Sequence, residues 1–290
     1  MKRRRWIEAL LTVPSFGWLV LFFVVPTILV LALSFKPAAL GGGVGPGWTL
    51  DTWRSLSNPN YPAIVWRTIW LSVVCTVICL TLAIPVAYWM ARLDRRWRAR
   101  VLLLIILPFW TNFLIRIFAW RTLLHPDGWL KNLLVAVGWA EPNDQLLYNE
   151  GAILLVLVYT YLPFAILPLF AAAEKFDFTL LDAARDLGAS RWRAISSVFL
   201  PGIRVGILTA VLIVFIPALG SYAIPEIVGG PTSEMIGNKI AQRATTDRNL
   251  PHAAALGALL TLVIFLPLIG VGLLRRRDGA AEPNRTGGYL

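Results

Sequence analysis

Two places in this chain combine residue types and spacing that could do chemistry, and in both the chemistry is binding rather than bond-making. The first is PALGSYAIPEIVGG at 217–230. Pro217, Gly220 and Pro225 break any helix there, Ser221 and Tyr222 lie between them, and Glu226 follows as an acid at the edge of an apolar run. Unwound backbone inside an apolar segment offers polar groups to a small solute. The second is TLLDAARDLGASRWRAISSVFLP at 179–201, a polar, helix-prone insert between two long apolar runs. Its chemistry is that of a contact with another surface.

The insert reads as two short helices around a sharp turn. Thr179 with Asp182 three residues on fits a capping box: the Thr179 hydroxyl would accept from the Asp182 amide, and the Asp182 carboxylate would sit in the first turn, where the helix dipole favours an anion. Ala183, Ala184 and Leu187 continue that helix, and Gly188 suits the left-handed position that ends it. Ser190 then caps a second helix over 191–199, which Pro201 stops. The small residues Ala183, Ala184 and Gly188 let another protein approach closely. The residues alone admit a second reading, a hairpin lying on the membrane with Arg185, Arg191 and Arg193 against lipid phosphates.

Catalysis finds no material. His125 and His252 lie outside the apolar runs, and no nucleophile stands with a base. Cys75 and Cys79, four apart, are too few for a disulfide framework or a metal site and read as small buried apolar residues. GGGVGPGWT at 41–49 lacks the lysine of a phosphate-binding loop. The expectation is a chain with no catalytic residue, no metal and no cofactor of its own. A membrane-embedded enzyme is disfavoured on these grounds.

The elements that must position these groups are set by composition. The chain is 57% hydrophobic and 15% charged, where a soluble domain averages about a quarter charged. Six apolar runs are long enough to cross a bilayer as helices: 10–35, 64–91, 101–124, 151–173, 205–225 and 253–274. A closed set of helices satisfies every backbone amide in lipid, so the expected fold is an all-α membrane protein of six transmembrane helices. Each run contains proline: Pro26, Pro85, Pro108, Pro163 with Pro168, Pro217 and Pro267. Each proline removes an amide donor and bends its helix. Lys and Arg number 17 across the N-terminal tail, the second and fourth loops and the C-terminal tail, against 6 in the other three loops. The positive-inside rule puts both termini and the 179–201 insert in the cytoplasm. The net charge of +11 is thus a topology signal, and no nucleic acid partner is expected. The division is a cytoplasmic tail at 1–9, one membrane domain at 10–274 with a cytoplasmic loop at 174–203, and a cytoplasmic tail at 275–290, polar and unstructured after Arg277. The N-terminal run is longer than a signal-peptide core and reads as a retained helix. The glycine-rich 41–47 stretch holds no regular element, while residues 51–56 form a short interfacial helix with Trp48 and Trp53 at headgroup level. Arg116, inside the third run, must face protein or water and is expected to join a structural or gating ion pair, for which a carboxylate of a partner chain is one candidate mate.

Asp182-Ala183-Ala184, three residues, Gly188, nine residues, then Val198-Phe199-Leu200-Pro201 resembles the EAA loop of ABC importer permeases, with Asp182 in place of Glu and Val198 in place of Ile. LPFWTNFLIRIFAWRTLL at 107–124, YTYLPFAILPLF at 159–170 and PALGSYAIPEIVGG at 217–230 resemble the spermidine/putrescine class of these permeases. The likeness runs from Trp66 to Leu274 and is weaker in the first outer loop.

The resemblance implies a type I importer permease fold in the cytoplasmic (inner) membrane. It also implies a second permease subunit, a dimer of ABC ATPase subunits that binds ATP and Mg, and an extracytoplasmic solute-binding protein. The ATPase-docking residues would be Asp182, Ala183, Ala184, Arg185, Gly188, Ala189 and Ser190. A small cationic substrate such as a polyamine needs carboxylates, carbonyls and aromatic faces. Glu226, Tyr222, Trp110, Asn112, Tyr159 and Tyr161 are the candidates for its path. The alternatives are the same machine carrying an opine, an amino acid or a metal-complex ion, and a membrane scaffold that transports nothing.

Overall fold

The structure is a computed structural model that describes residues 12–39, 41–139 and 141–280, with side chains up to 265. The expected 1–9 tail and residues 281–290 lie outside the described residues. All named elements are helical: α1 (Thr12–Leu33), α2 (Asp51–Ser55), α3 (Asn60–Ala91), α4 (Arg95–Ile106), α5 (Phe113–Leu124), α6 (Trp129–Ala136), α7 (Glu150–Ala173), α8 (Thr179–Asp186), α9 (Arg191–Gly202), α10 (Arg204–Leu219), α11 (Ala223–Val228), α12 (Ile236–Thr245) and α13 (Leu250–Ala280). Helix α13 runs through Arg277 to Ala280, past the expected start of the unstructured tail.

By length and apolarity α1, α3 and α7 can each cross a bilayer, and up to five spans result if each of two bent pairs is one span. Residues 250–265 of α13 form a shorter apolar helix. The third expected run is one of the bent pairs. Helix α4 tightens into a 3₁₀ turn at Leu107–Trp110, Thr111 is extended, and the chain restarts at an 87° angle. The cause is local: Pro108 interrupts the ladder, the Thr111 hydroxyl donates to the Pro108 carbonyl, and Asn112 caps α5 by accepting from the Leu114 amide at 2.8 Å.

Two other prolines are absorbed rather than obeyed. Val20–Val24 and Ile195–Phe199 are π-helical turns just ahead of Pro26 and Pro201. In each the next amide, Val25 or Leu200, donates five residues back, and the helix continues over the proline. Pro201 therefore does not stop the second helix of the insert, which runs on to Gly202 and bends by 73° into α10 at Ile203.

The chain divides into two compact units, residues 63–238 and the flanking segments 1–62 with 239–290. In the central unit α3 presents one face at a spacing of four: Leu71, Cys75, Cys79, Ala83, Ala87 and Ala91 are all buried. Both cysteines are free thiols with no exposed surface. Trp66, Trp70 and Trp89 stay exposed, as side chains that face lipid or another subunit do. Helices α7 and α10 pack most closely where Gly206 meets α7: a Cβ there would lie 2.5 Å from the Ala172 Cβ and 2.9 Å from the Pro168 carbonyl. In the flanking unit, α1 and α2 pack on α13, and Leu56, Tyr61, Ala255 and Leu256 form a small core. The short helix appears as expected at Asp51–Ser55, but Trp53 is half-buried and donates to the Ser34 hydroxyl at 3.2 Å, while Trp48 stays exposed beneath Lys36. Residues 41–47 hold turns with Gly42, Gly43 and Gly47 at positive φ.

Candidate functional site

The insert forms the expected helix, turn and helix, with one correction at its start. Thr179 is the first residue of α8 and not its cap, so its hydroxyl does not accept from the Asp182 amide. Asp177 does the capping: its Oδ1 accepts from the Thr179 amide at 3.0 Å and from the Thr179 hydroxyl at 2.8 Å. These two bonds, side chain first, hold the Asp177 carboxyl below its ordinary range. Asp182 lies in the first turn as expected, exposed, with Arg185 3.9 Å away.

The turn is closed by backbone alone. Gly188 takes φ +89°, its amide donates to the Arg185 carbonyl at 2.9 Å, and the Ala189 amide donates to Ala184 at 3.0 Å. Those two bonds make a complete Schellman motif. Ser190 then caps α9 by accepting from the Arg193 amide at 3.3 Å. A Cβ on Gly188 would meet nothing within 4 Å. Beside it Leu187 is 90% exposed, a large apolar side chain at the tip of a polar hairpin. An open cavity of about 570 Å³ between the two helices is lined by Asp182, Arg185, Asp186, Ala189, Ser190 and Arg191, four of them among the expected docking residues.

The hairpin is anchored by rings that the sequence reading missed. Phe199 is fully buried, edge-on to Tyr88 of α3 at 5.1 Å and to Phe176 at 5.2 Å, with Phe178 stacked at 6.2 Å. The Phe176 ring also covers Gly202, where a Cβ would lie 2.5 Å away. The signal was present: two aromatic residues alternate in an otherwise polar loop, and Phe199 occupies the unspecified position of the Val-x-Leu-Pro ending. Close-packed rings thus join the hairpin to α3 and to the segment that follows α7.

The six candidate path residues fall in three neighbouring places. Helix α11 packs on α5 and α7. On α11, Tyr222 is 56% exposed, its carbonyl accepts from the Glu226 amide, and the Glu226 side chain is exposed one turn on. Asn238, 6% exposed, fixes that carboxylate: its Oδ1 accepts from the Met235 amide at 2.7 Å and its Nδ2 donates to Glu226 at 3.5 Å. Asn238 was not anticipated, since an amide twelve residues away carries no local signal. On α7, Tyr161 donates to the Pro217 carbonyl at 3.2 Å, satisfying backbone at the break in α10, and Tyr159 packs edge-on to Trp120 at 5.3 Å. At the bend, Trp110 is 74% exposed and Asn112 is occupied as a cap. Glu226 and Tyr222 therefore remain open to a ligand, while the Asn112 carboxamide oxygen and the Tyr161 hydroxyl are engaged by the fold. Within this chain Arg116 meets rings: its guanidinium lies 4.7 Å over Phe109 and 5.9 Å over Phe113, and its Nε and Nη1 are buried without a hydrogen-bond partner among the described residues.

Residues 83–278 match the family described as binding-protein-dependent transport system inner membrane component. The chain belongs to that family. It is a multi-pass inner-membrane permease subunit. Over 266 residues, 90% of this chain and 93% of the relative, it is 36% identical to the spermidine/putrescine transport system permease protein PotB of Haemophilus influenzae. Its fold matches a bacterial ABC transporter involved in the import of the acidic polysaccharide alginate, at a TM-score of 0.71 and 19% identity over 95% of this chain and 96% of the other. It also matches a bacterial alginate ABC transporter in complex with an alginate pentasaccharide-bound periplasmic protein, at 0.70 and 18% over the same shares. At that identity the likeness is one of fold, and substrate must be argued from the site.

Proposed function

We propose that this permease imports a polyamine by alternating access, driven through its hairpin by a separate ATPase. The observation that carries the docking half is Leu187: an apolar side chain left 90% exposed beside an open Gly188 is a surface built to be covered. Asp182, Ala183, Ala184, Arg185, Ala189 and Ser190 form the rest of the docking face. ATP and Mg belong to the ATPase dimer, so this chain supplies no catalytic group. A second permease completes the pathway and a solute-binding protein delivers the substrate, a reading supported by the family and by the periplasmic protein in the alginate complex. The hairpin and both termini face the cytoplasm in this reading, as the charge distribution requires.

The polyamine half is supported by the resemblance to PotB and by the oriented carboxylate of Glu226 beside Tyr222. A carboxylate and an aromatic face are the groups an alkylammonium needs. The test is ATPase activity of the purified complex with its binding protein, screened over putrescine, spermidine and unrelated solutes. Stimulation by polyamines alone is expected. Stimulation by an opine, an amino acid or a metal complex, with none by polyamines, would overturn the substrate and leave the docking reading standing.

A further inference from the structure

A second cavity, of about 410 Å³, lies between the C-terminal end of α3 and the hairpin, lined by Tyr88, Arg92, Leu181, Asp182, Arg185 and Arg191 among others. Three guanidinium groups face one carboxylate. Asp182 meets Arg185 only loosely, at 3.9 Å, so it offsets at most one of the three charges. Arg92 is positioned without being neutralised: its guanidinium carbon rests 5.2 Å over Tyr88 and 5.2 Å over Phe178, contacts that supply no opposite formal charge. Neither Arg92 nor Arg191 has a carboxylate partner among the described residues. Leu187 and Gly188 of the docking tip do not line this cavity, which shares Asp182 and Arg185 with the docking face and extends from them to Tyr88 and Arg92.

The surroundings identify the ligand. Arg92 directly follows the apolar length of α3. Trp89, next to Tyr88, is 53% exposed, and Trp192, next to Arg191, is 82% exposed. Exposed tryptophan beside unpaired arginine at the end of an apolar helix belongs at headgroup depth. We propose that this cavity binds the phosphate headgroup of an anionic phospholipid, with Arg92 and Arg191 on the phosphate oxygens. The lipid would tie the hairpin to α3 at the membrane surface. The inference rests on the hairpin lying at the inner surface and is independent of which solute is carried.

The experiment is native mass spectrometry of the complete importer complex, purified from membranes holding zwitterionic and anionic phospholipids. Wild type is expected to retain an anionic lipid that the double variant Arg92→Gln/Arg191→Gln loses. Each arginine near an anionic surface is worth about fivefold in affinity, so retention should fall roughly thirtyfold. Arg193→Gln, on the same helix but outside the cavity wall, should leave retention unchanged. Equal retention by wild type and the double variant, or an equal loss in Arg193→Gln, would refute the site. Displacement of the lipid by inorganic phosphate would show a free-anion site instead and overturn the lipid assignment. Should the double variant fail to assemble, wild type in phosphatidylcholine nanodiscs doped with phosphatidylglycerol decides: enrichment of phosphatidylglycerol on the protein supports the proposal, and bulk proportion overturns it.

Discussion

Substitution of Gly188 separates what the turn needs from what a partner needs. At φ +89° any residue with a Cβ is strained, and the strain of the left-handed conformation is about 1–2 kcal/mol, or about five- to thirtyfold in the population of the intact turn. The space around the position is empty, so within this chain alanine and leucine should cost about the same. Asparagine adopts the left-handed region more readily and should cost less than either. If nothing docks here, coupling in reconstituted complex should follow backbone strain alone, with Gly188→Asn the least impaired and Gly188→Ala equal to Gly188→Leu. If an ATPase surface closes over the tip, Gly188→Leu should fall well below Gly188→Ala, because the two differ only in bulk. The assay is substrate-stimulated ATPase and uptake in proteoliposomes, normalised to assembled complex. Equal coupling for the alanine and leucine variants would refute the docking argument.

Other outcomes follow from the same geometry. Phe199→Ala removes the buried ring beneath the hairpin at about 3–5 kcal/mol of local packing, and should give a complex that hydrolyses ATP without importing; Phe199→Leu should retain most uptake, both read by transport per ATP. Glu226→Gln should raise the half-saturating polyamine concentration about tenfold, the worth of a charged hydrogen bond, with Asn238→Leu moving it in the same direction at unchanged protein level in initial-rate uptake assays. Because the Asp177 carboxyl is held below its ordinary value, its cap is fully present above about pH 4 and is lost as the pH falls through the lowered value. Protection of the Thr179–Leu181 amides, measured relative to their intrinsic exchange, should fall only in that acid window, and Asp177→Ala should remove that fall. Gly206→Val should fail to yield folded permease in a detergent-solubility screen, since its Cβ would overlap Ala172 and the Pro168 carbonyl of α7.

What could be read from the sequence was whatever is decided within a few residues. The apolar runs marked the long helices α1, α3 and α7, the Gly188 and Ser190 types marked the turn and its second cap, and the Pro217–Pro225 cluster marked the break between α10 and α11. Where two local signals competed, the nearer-looking one lost. Thr179 and Asp182 have capping-box spacing, but Asp177 stands two residues earlier and takes the Thr179 donors for itself. Pro201 carries a stop signal that one widened turn upstream cancels. The ring cluster at Phe199 and the Asn238 brace on Glu226 depend on residues brought together from far along the chain, which no periodicity encodes.

The two cysteines on the packed face of α3 have a practical consequence. They are the only thiols in the sequence, and neither shows any surface. A maleimide dye or spin label added to the native permease should therefore find nothing to react with. A reporter cysteine introduced at Trp139, 81% exposed and outside the hairpin, would be the sole labelled position of this chain, and its surroundings could be followed during turnover with the docking face untouched.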